Sequence, residues 1–182
     1  KLLAHVALFR IDDENRAMTD PSDSNFSIAA GKVRSQGLET EISGSPLEGW
    51  EISAGYAYTF TEYLEADSGT QGNTFAAYTP KHSANVWARY TFPEGDLSGL
   101  SLAGGGNWRS SFHSDSNGVR FSEDGYVTVS AQVGYRLNEN IAATFTVNNL
   151  FDETYFEKVS GNSRQNFYGA PRSYMFNLKG SF

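Results

Sequence analysis

The chain has no cysteine, little basic charge and no long apolar run, and each shortage removes a class of protein. With Cys 0 in 182 residues, there is no disulfide framework and no thiolate to act as nucleophile or metal ligand. No window approaches the ~18 consecutive apolar residues that a membrane-spanning helix needs. Lys+Arg 14 against Asp+Glu 21 leaves a formal charge of -7, so nothing here neutralises a phosphate backbone and nucleic acid is not an expected partner. The opening run Lys1-Leu2-Leu3-Ala4-His5-Val6-Ala7-Leu8-Phe9 lacks the parts of a secretory signal. It already reads as a strand, and the chain is expected to be a piece of a longer one.

What is abundant points to strands and turns. Gly 18 and 14% aromatic residues are high for a helical protein and ordinary for a β protein. The mean hydropathy of -0.45 matches a water-soluble chain. It matches equally a membrane barrel, whose strands average an apolar outer face with a polar lumen.

Strict two-residue alternation decides between helix and strand. In 50–61, Trp50, Ile52, Ala54, Tyr56, Tyr58 and Phe60 oppose Glu51, Ser53, Gly55, Ala57, Thr59 and Thr61. In 126–137, Val127, Val129, Ala131, Val133, Tyr135 and Leu137 oppose Thr128, Ser130, Gln132, Gly134 and Arg136. The segments 140–147 and 173–182 behave alike, as does 83–92. Two segments are less clean: 100–109, interrupted by Gly104-Gly105-Gly106, and 32–44. With the opening run the sequence predicts roughly eight strands, each near the ~10 residues of a tilted bilayer crossing.

The connections divide into two sets. Short turns are expected at 45–49, 93–99 and 138–139, and long polar loops at 12–31, 62–80, 112–124 and 152–172. Short inner turns and long external loops are the asymmetry of a transmembrane barrel. Trp50, Tyr90, Phe92 and Tyr135 then share a level at the inner rim, where amphipathic rings are stable. The alternative is a soluble β-sandwich, which also alternates but favours Ile, Val and Leu on its covered face.

Candidate chemistry is sparse. Ser111, His113 and Asp115 are too close in sequence for a triad, whose members converge from separate elements, and no catalytic residue is expected. Asp12-Asp13-Glu14 and the acids of Asp20-Pro21-Ser22-Asp23 have oxygen ligands for Ca²⁺ but lack the glycine and terminal glutamate of an EF-hand loop. Solvated loop charge is the better reading, with no metal and no cofactor. Ligand binding has more support. Phe75, Tyr78, Phe112, His113, Phe121, Tyr155, Phe156, Phe167 and Tyr168 lie on the long connections, with Arg109 and Arg120 at the same end. Rings and guanidinium groups at a barrel mouth suit a rigid, partly aromatic, anionic ligand. The residues singled out for binding are Arg109, Phe112, His113, Arg120, Tyr155, Phe156 and Tyr168, against the plainer reading that the rings pack loops together or form the outer aromatic girdle.

The C-terminal third resembles a known family. Val147-Asn148-Asn149-Leu150-Phe151-Asp152-Glu153-Thr154-Tyr155 is similar to the penultimate-strand motif of TonB-dependent outer-membrane receptors. Gly169-Ala170-Pro171-Arg172 resembles the approach to their last strand. Tyr174, Phe176, Leu178 and the terminal Phe182 resemble the signal read by the barrel-assembly machinery. Gln36-Gly37-Leu38-Glu39 and Thr79-Pro80-Lys81-His82-Ser83 match recurrent family patterns further upstream, so the resemblance covers 32–182. It implies that residues 1–182 are the C-terminal portion, roughly eight strands, of an all-β, antiparallel, 22-stranded transmembrane barrel in a Gram-negative outer membrane. It further implies a plug domain and a TonB-contacting segment (the TonB box) before Lys1, and uptake of an Fe(III)-siderophore. The partners implied are the siderophore, the TonB complex, outer-membrane lipid and the assembly machinery; the protein is expected to be no enzyme. The alternatives are a receptor of the same superfamily for cobalamin, haem or a carbohydrate, or a small closed outer-membrane barrel acting as adhesin or enzyme.

Overall fold

A computed structural model describes residues 1–20, 22–66, 71–74, 79–116, 119–159 and 166–181. Eight strands form one antiparallel sheet in the order β1-β2-β3-β4-β5-β6-β7-β10. They are β1 (Leu2–Asp20), β2 (Asp23–Gly44), β3 (Trp50–Glu65), β4 (His82–Thr91), β5 (Leu100–Ser116), β6 (Val119–Arg136), β7 (Ile141–Asn148) and β10 (Ser173–Gly180). Two short strands, β8 (Phe156–Lys158) and β9 (Phe167–Tyr168), pair separately within the connection from β7 to β10. All pairs join neighbours in sequence apart from β7 with β10. The sheet is thus a meander, the topology of an up-and-down barrel wall.

Cross-strand register extends each strand's alternation over the whole sheet, because directly paired residues share a face. One row runs Trp50, Tyr90, Leu102, Val133, Phe145, Phe176. Another runs Val6, Thr40, Tyr56, Ala84, Trp108, Val127. This apolar face has no protein layer against it: Val86 is 53%, Val127 52% and Phe176 68% exposed. The buried apolar residues Val33, Phe112, Tyr126 and Val159 lie towards the loop end and none covers the sheet. A soluble sandwich would bury one face against a second sheet. No second layer exists among the described residues, and an apolar face of this size requires a non-aqueous neighbour.

Aromatic contacts mark both margins of that face. At the turn end Trp50 lies 5.2 Å from Tyr90, and Tyr90 meets Phe92 edge-on at 4.9 Å. At the loop end Tyr58 and Trp108 flank His82 at 5.0 and 6.4 Å, and the Tyr56 hydroxyl is 2.8 Å from His82 Nδ1. Val127 to Tyr135 on β6 bridges the two margins, about 27 Å along the strand. With a tilt of about 40° that is roughly 21 Å of height, near the ~25 Å apolar band of a barrel.

Two expected loops are strand instead. Residues 12–20 and 23–31 continue β1 and β2 as a ribbon, and 112–116 and 119–124 continue β5 and β6. Above a membrane both faces of a ribbon meet water, so the alternation that betrays a strand disappears. Ion pairs replace it. Asp12 accepts from Arg34 Nε at 2.7 Å and from Arg10 Nη2 at 2.8 Å; Arg34 reaches Glu62 at 3.8 Å, and Lys32 pairs with Glu14. Hydrogen bonds from Arg34 first, then Arg10, hold the Asp12 carboxyl well below the usual carboxylate range. Asp12, Asp13 and Glu14 are therefore engaged with cations, while Asp20 accepts the Ser22 N–H and Asp23 accepts from Asn25. Among the described residues no His/Asp/Glu group is arranged to hold a metal.

The linkage has a definite sign. A depressed folded pKa contributes stability above the unfolded value, lost only as pH falls below the ordinary Asp range. Asp12→Asn should accelerate amide exchange of 10–34 at neutral pH and leave the exchange of β5 and β6 unchanged. Unaltered exchange in the ribbon would show that the pairs are incidental there, as exposed ion pairs often are.

Gly105 shows why the glycine-interrupted segment still forms a strand. A Cβ there would sit 2.1 Å from the Val86 carbonyl oxygen and 2.8 Å from the Trp87 ring. The indole thus covers a backbone that carries no side chain, the cross-strand rescue of a strand glycine.

Candidate functional site: the loop end of the lumen

The polar face is the complement of the rows above, and Arg109 and Tyr126 are cross-strand partners on it. The Arg109 guanidinium lies 6.0 Å over the Tyr126 ring. Tyr126 stacks on Tyr155 at 4.0 Å, and Phe156 stacks on Tyr168 at 4.4 Å. Phe112, Tyr126 and Val159 form a small buried core, with Phe121, Tyr155 and Phe156 against it. The β7–β10 connection is thereby pressed onto the β5–β6 ribbon.

Hydrogen bonds fix that connection at tip and base. The Glu123 carboxylate accepts the Phe156 N–H at 2.9 Å. Asn149, buried and with φ 49°, accepts the Glu153 N–H at 2.9 Å. Its amide donates to the carbonyls of Glu153 at 2.9 Å and Ala170 at 3.1 Å. Asp152 accepts the Arg172 N–H at 2.9 Å. Asn is suited to this place because it tolerates the left-handed region and offers both donor and acceptor. The ring of Tyr155 lies against Gly169, where a Cβ would collide with it at 2.0 Å.

The residues singled out from sequence fall into three groups. Phe112, 4% exposed, belongs to the small core. Tyr155 and Phe156 are half-buried, each with one ring face in a stack, while Tyr168 is 68% exposed and open to solvent. Arg109 is half-buried over the lumen, and His113 and Arg120 are exposed, with interactions of their own. Phe112, His113, Arg120, Phe156 and Tyr168 stand on strands β5, β6, β8 and β9 rather than on free loops. Phe75, Tyr78 and Phe182 lie outside the described residues. Sequence reading missed Tyr126 and Glu123; an aromatic on the polar side of β6's alternation was the available signal.

An open antiparallel meander with an uncovered apolar face, two aromatic margins and a polar lumen defines a wall segment of an outer-membrane β-barrel. The family model described as TonB dependent receptor-like, beta-barrel matches residues 1–150, and the chain belongs to that family. It is 35% identical to the ferric-pyoverdine M114 receptor of Pseudomonas sp. (strain M114), covering 96% of this chain and 22% of the relative. It is 37% identical to the ferrichrome outer membrane transporter/phage receptor of Escherichia coli (strain K12), covering 91% of this chain and 22% of that protein. The crystal structure of the ferripyoverdine receptor of Pseudomonas aeruginosa superposes with a TM-score of 0.80 at 29% identity, over 100% of this chain and 25% of that one. The chain therefore spans about a quarter of these relatives' length. Matches from residue 1 bring β1 into a likeness that the motifs alone traced from residue 32.

Proposed function

We propose that the complete protein is an outer-membrane receptor that takes up an anionic ferric siderophore with energy delivered through TonB, and is a transporter rather than an enzyme. This chain supplies eight strands of the wall and part of the mouth. The observation that carries the reading is the Arg109–Tyr126–Tyr155 stack above the lumen, on a scaffold whose relatives are ferric-pyoverdine and ferrichrome receptors. Arg109 and Arg120 supply charge for the chelate's oxygens, and Tyr155, Phe156 and Tyr168 supply ring faces. His113 stands beside them as a polar contact, and Phe112 acts from beneath by holding Tyr126 in place. The rest of the barrel, a plug and the TonB-contacting segment belong to other parts of the protein. Tyr174, Phe176 and Leu178, in register on the outer face of β10, with Phe182 beyond them, form the segment offered to the assembly machinery.

The test is equilibrium binding of ferric pyoverdine and of ferrichrome to the purified full-length receptor, read by intrinsic fluorescence quenching. Arg109→Gln should weaken the preferred chelate by about tenfold, in line with ~1.5–3 kcal/mol for a hydrogen bond to a charged group. Tyr168→Ala should weaken it by about threefold to tenfold, as for loss of one stacking face. Unchanged affinity in both variants would remove this mouth from the binding site.

A further inference from the structure

Charge on the luminal face is segregated. Between the aromatic margins the acids are Glu39 and Glu41 on β2 and Glu51 on β3, all on the polar face. The parts of β4, β5, β6, β7 and β10 at membrane level contain no Asp or Glu. They carry four cations on that same face: Arg109 at the loop end, and Arg89, Arg136 and Lys179 at the turn end. Arg89 shares the row of Ala103, six residues or about 20 Å from Arg109 along β5. Arg136 and Lys179 share a row ten residues or about 34 Å from the Arg109–Tyr126 row along β6, with Asn107, Thr128, Gln132 and Thr144 on the face between.

The three turn-end cations line one recess of about 900 Å³ together with Asn138, Asn177 and Thr144. Among the described residues Glu139 is the one acid on its lining. Arg136 and Lys179 have no side-chain partner among the described residues. Arg89 is poorly satisfied: its Nη2 donates to Ser101 Oγ at 3.3 Å, its Nη1 is 3.9 Å from Glu51, and its buried Nε has no partner. Unpaired guanidinium and ammonium groups converging on a recess are the elements of an oxyanion site.

We propose that Arg89, Arg136 and Lys179 form an exit-side site that holds the anionic ferric chelate after it leaves the mouth. The β4–β10 half of the lumen is then an anion track running from Arg109 to these three. A track conducts when each station attracts the ligand but none retains it. Charges held at both ends with neutral hydrogen-bonding groups between meet that requirement, and the acidic β2–β3 half keeps the ligand to one side. The inference rests on the siderophore-receptor reading above.

The experiment uses the full-length receptor in cells that lack other receptors, with the iron-55 complexes of pyoverdine, ferrichrome and a catecholate as probes. Arg136→Gln with Lys179→Gln should leave binding to energy-depleted cells within twofold of wild type. The maximal rate of energised uptake of an anionic probe should fall about tenfold at unchanged KM. The charge-keeping pair Arg136→Lys and Lys179→Arg should retain more than half the rate, with heat-modifiable migration verifying equal assembly of all variants. An unchanged maximal rate in the neutral pair overturns the proposal and leaves the receptor reading intact. Undiminished uptake with new sensitivity to vancomycin also overturns it, because the cations then hold a protein segment in the lumen. A wild-type receptor that imports none of the three probes overturns the receptor reading and this inference with it.

Discussion

Val129→Arg is expected to cost the assembled receptor about 1–3 kcal/mol, the penalty for a cation on the lipid face between the interface and the bilayer midplane. Val129 pairs with Gly106 on the lipid face, two residues inside the row of Trp108 and six from that of Tyr135, so the guanidinium starts about 7 Å of strand within the loop-side margin. Thr128→Arg, one residue away, points into the polar lumen beside Asn107 and should cost well under half as much. Folding titration of the full-length protein into lipid bilayers measures both. The contrast between neighbours carries the result, since it separates membrane facing from general intolerance of the strand. Equal costs would mean that both faces meet the same medium, and the barrel assignment of the two faces would fail.

Asn149→Ala should release the β7–β10 connection, at a cost of about 3 kcal/mol. Three hydrogen bonds at about 1 kcal/mol each are lost, and alanine is ill suited to the left-handed backbone that Asn149 adopts. Asn149→Asp keeps the acceptor for the Glu153 N–H but places a second oxygen against the carbonyls of Glu153 and Ala170, and should be no milder. Proteolytic cleavage within 150–172 of the intact receptor should accelerate at least tenfold in Asn149→Ala, and chelate affinity should fall with it. Wild-type protease resistance would show that the stacks of Tyr155 and Phe156 hold the connection without this side chain.

The sequence was most informative where one face meets lipid. There the alternation of β3, β6, β7 and β10 is nearly unbroken, and the register of the sheet follows from it. It was least informative above the membrane, where Asp12, Arg34 and Lys32 hold a ribbon through ion pairs whose spacing has no hydrophobic period. The glycines of β5 hid a strand because the side chain that covers Gly105 comes from Trp87 on the neighbouring strand. At the mouth, sequence supplied the aromatic residues but not their roles. Phe112 and Tyr168 are both rings on a polar connection, yet one is buried in a core and the other open. That distinction depends on Tyr126, Val159 and Glu123, which become neighbours only through pairing of distant segments.

The most direct measurement is iron-55 uptake into cells in which the full-length protein is the sole siderophore receptor, with TonB present or deleted. The account predicts saturable accumulation of a ferric siderophore that requires TonB, with surface binding preserved when TonB is absent. Accumulation independent of TonB, or none of any ferric siderophore despite a correctly assembled barrel, would contradict it.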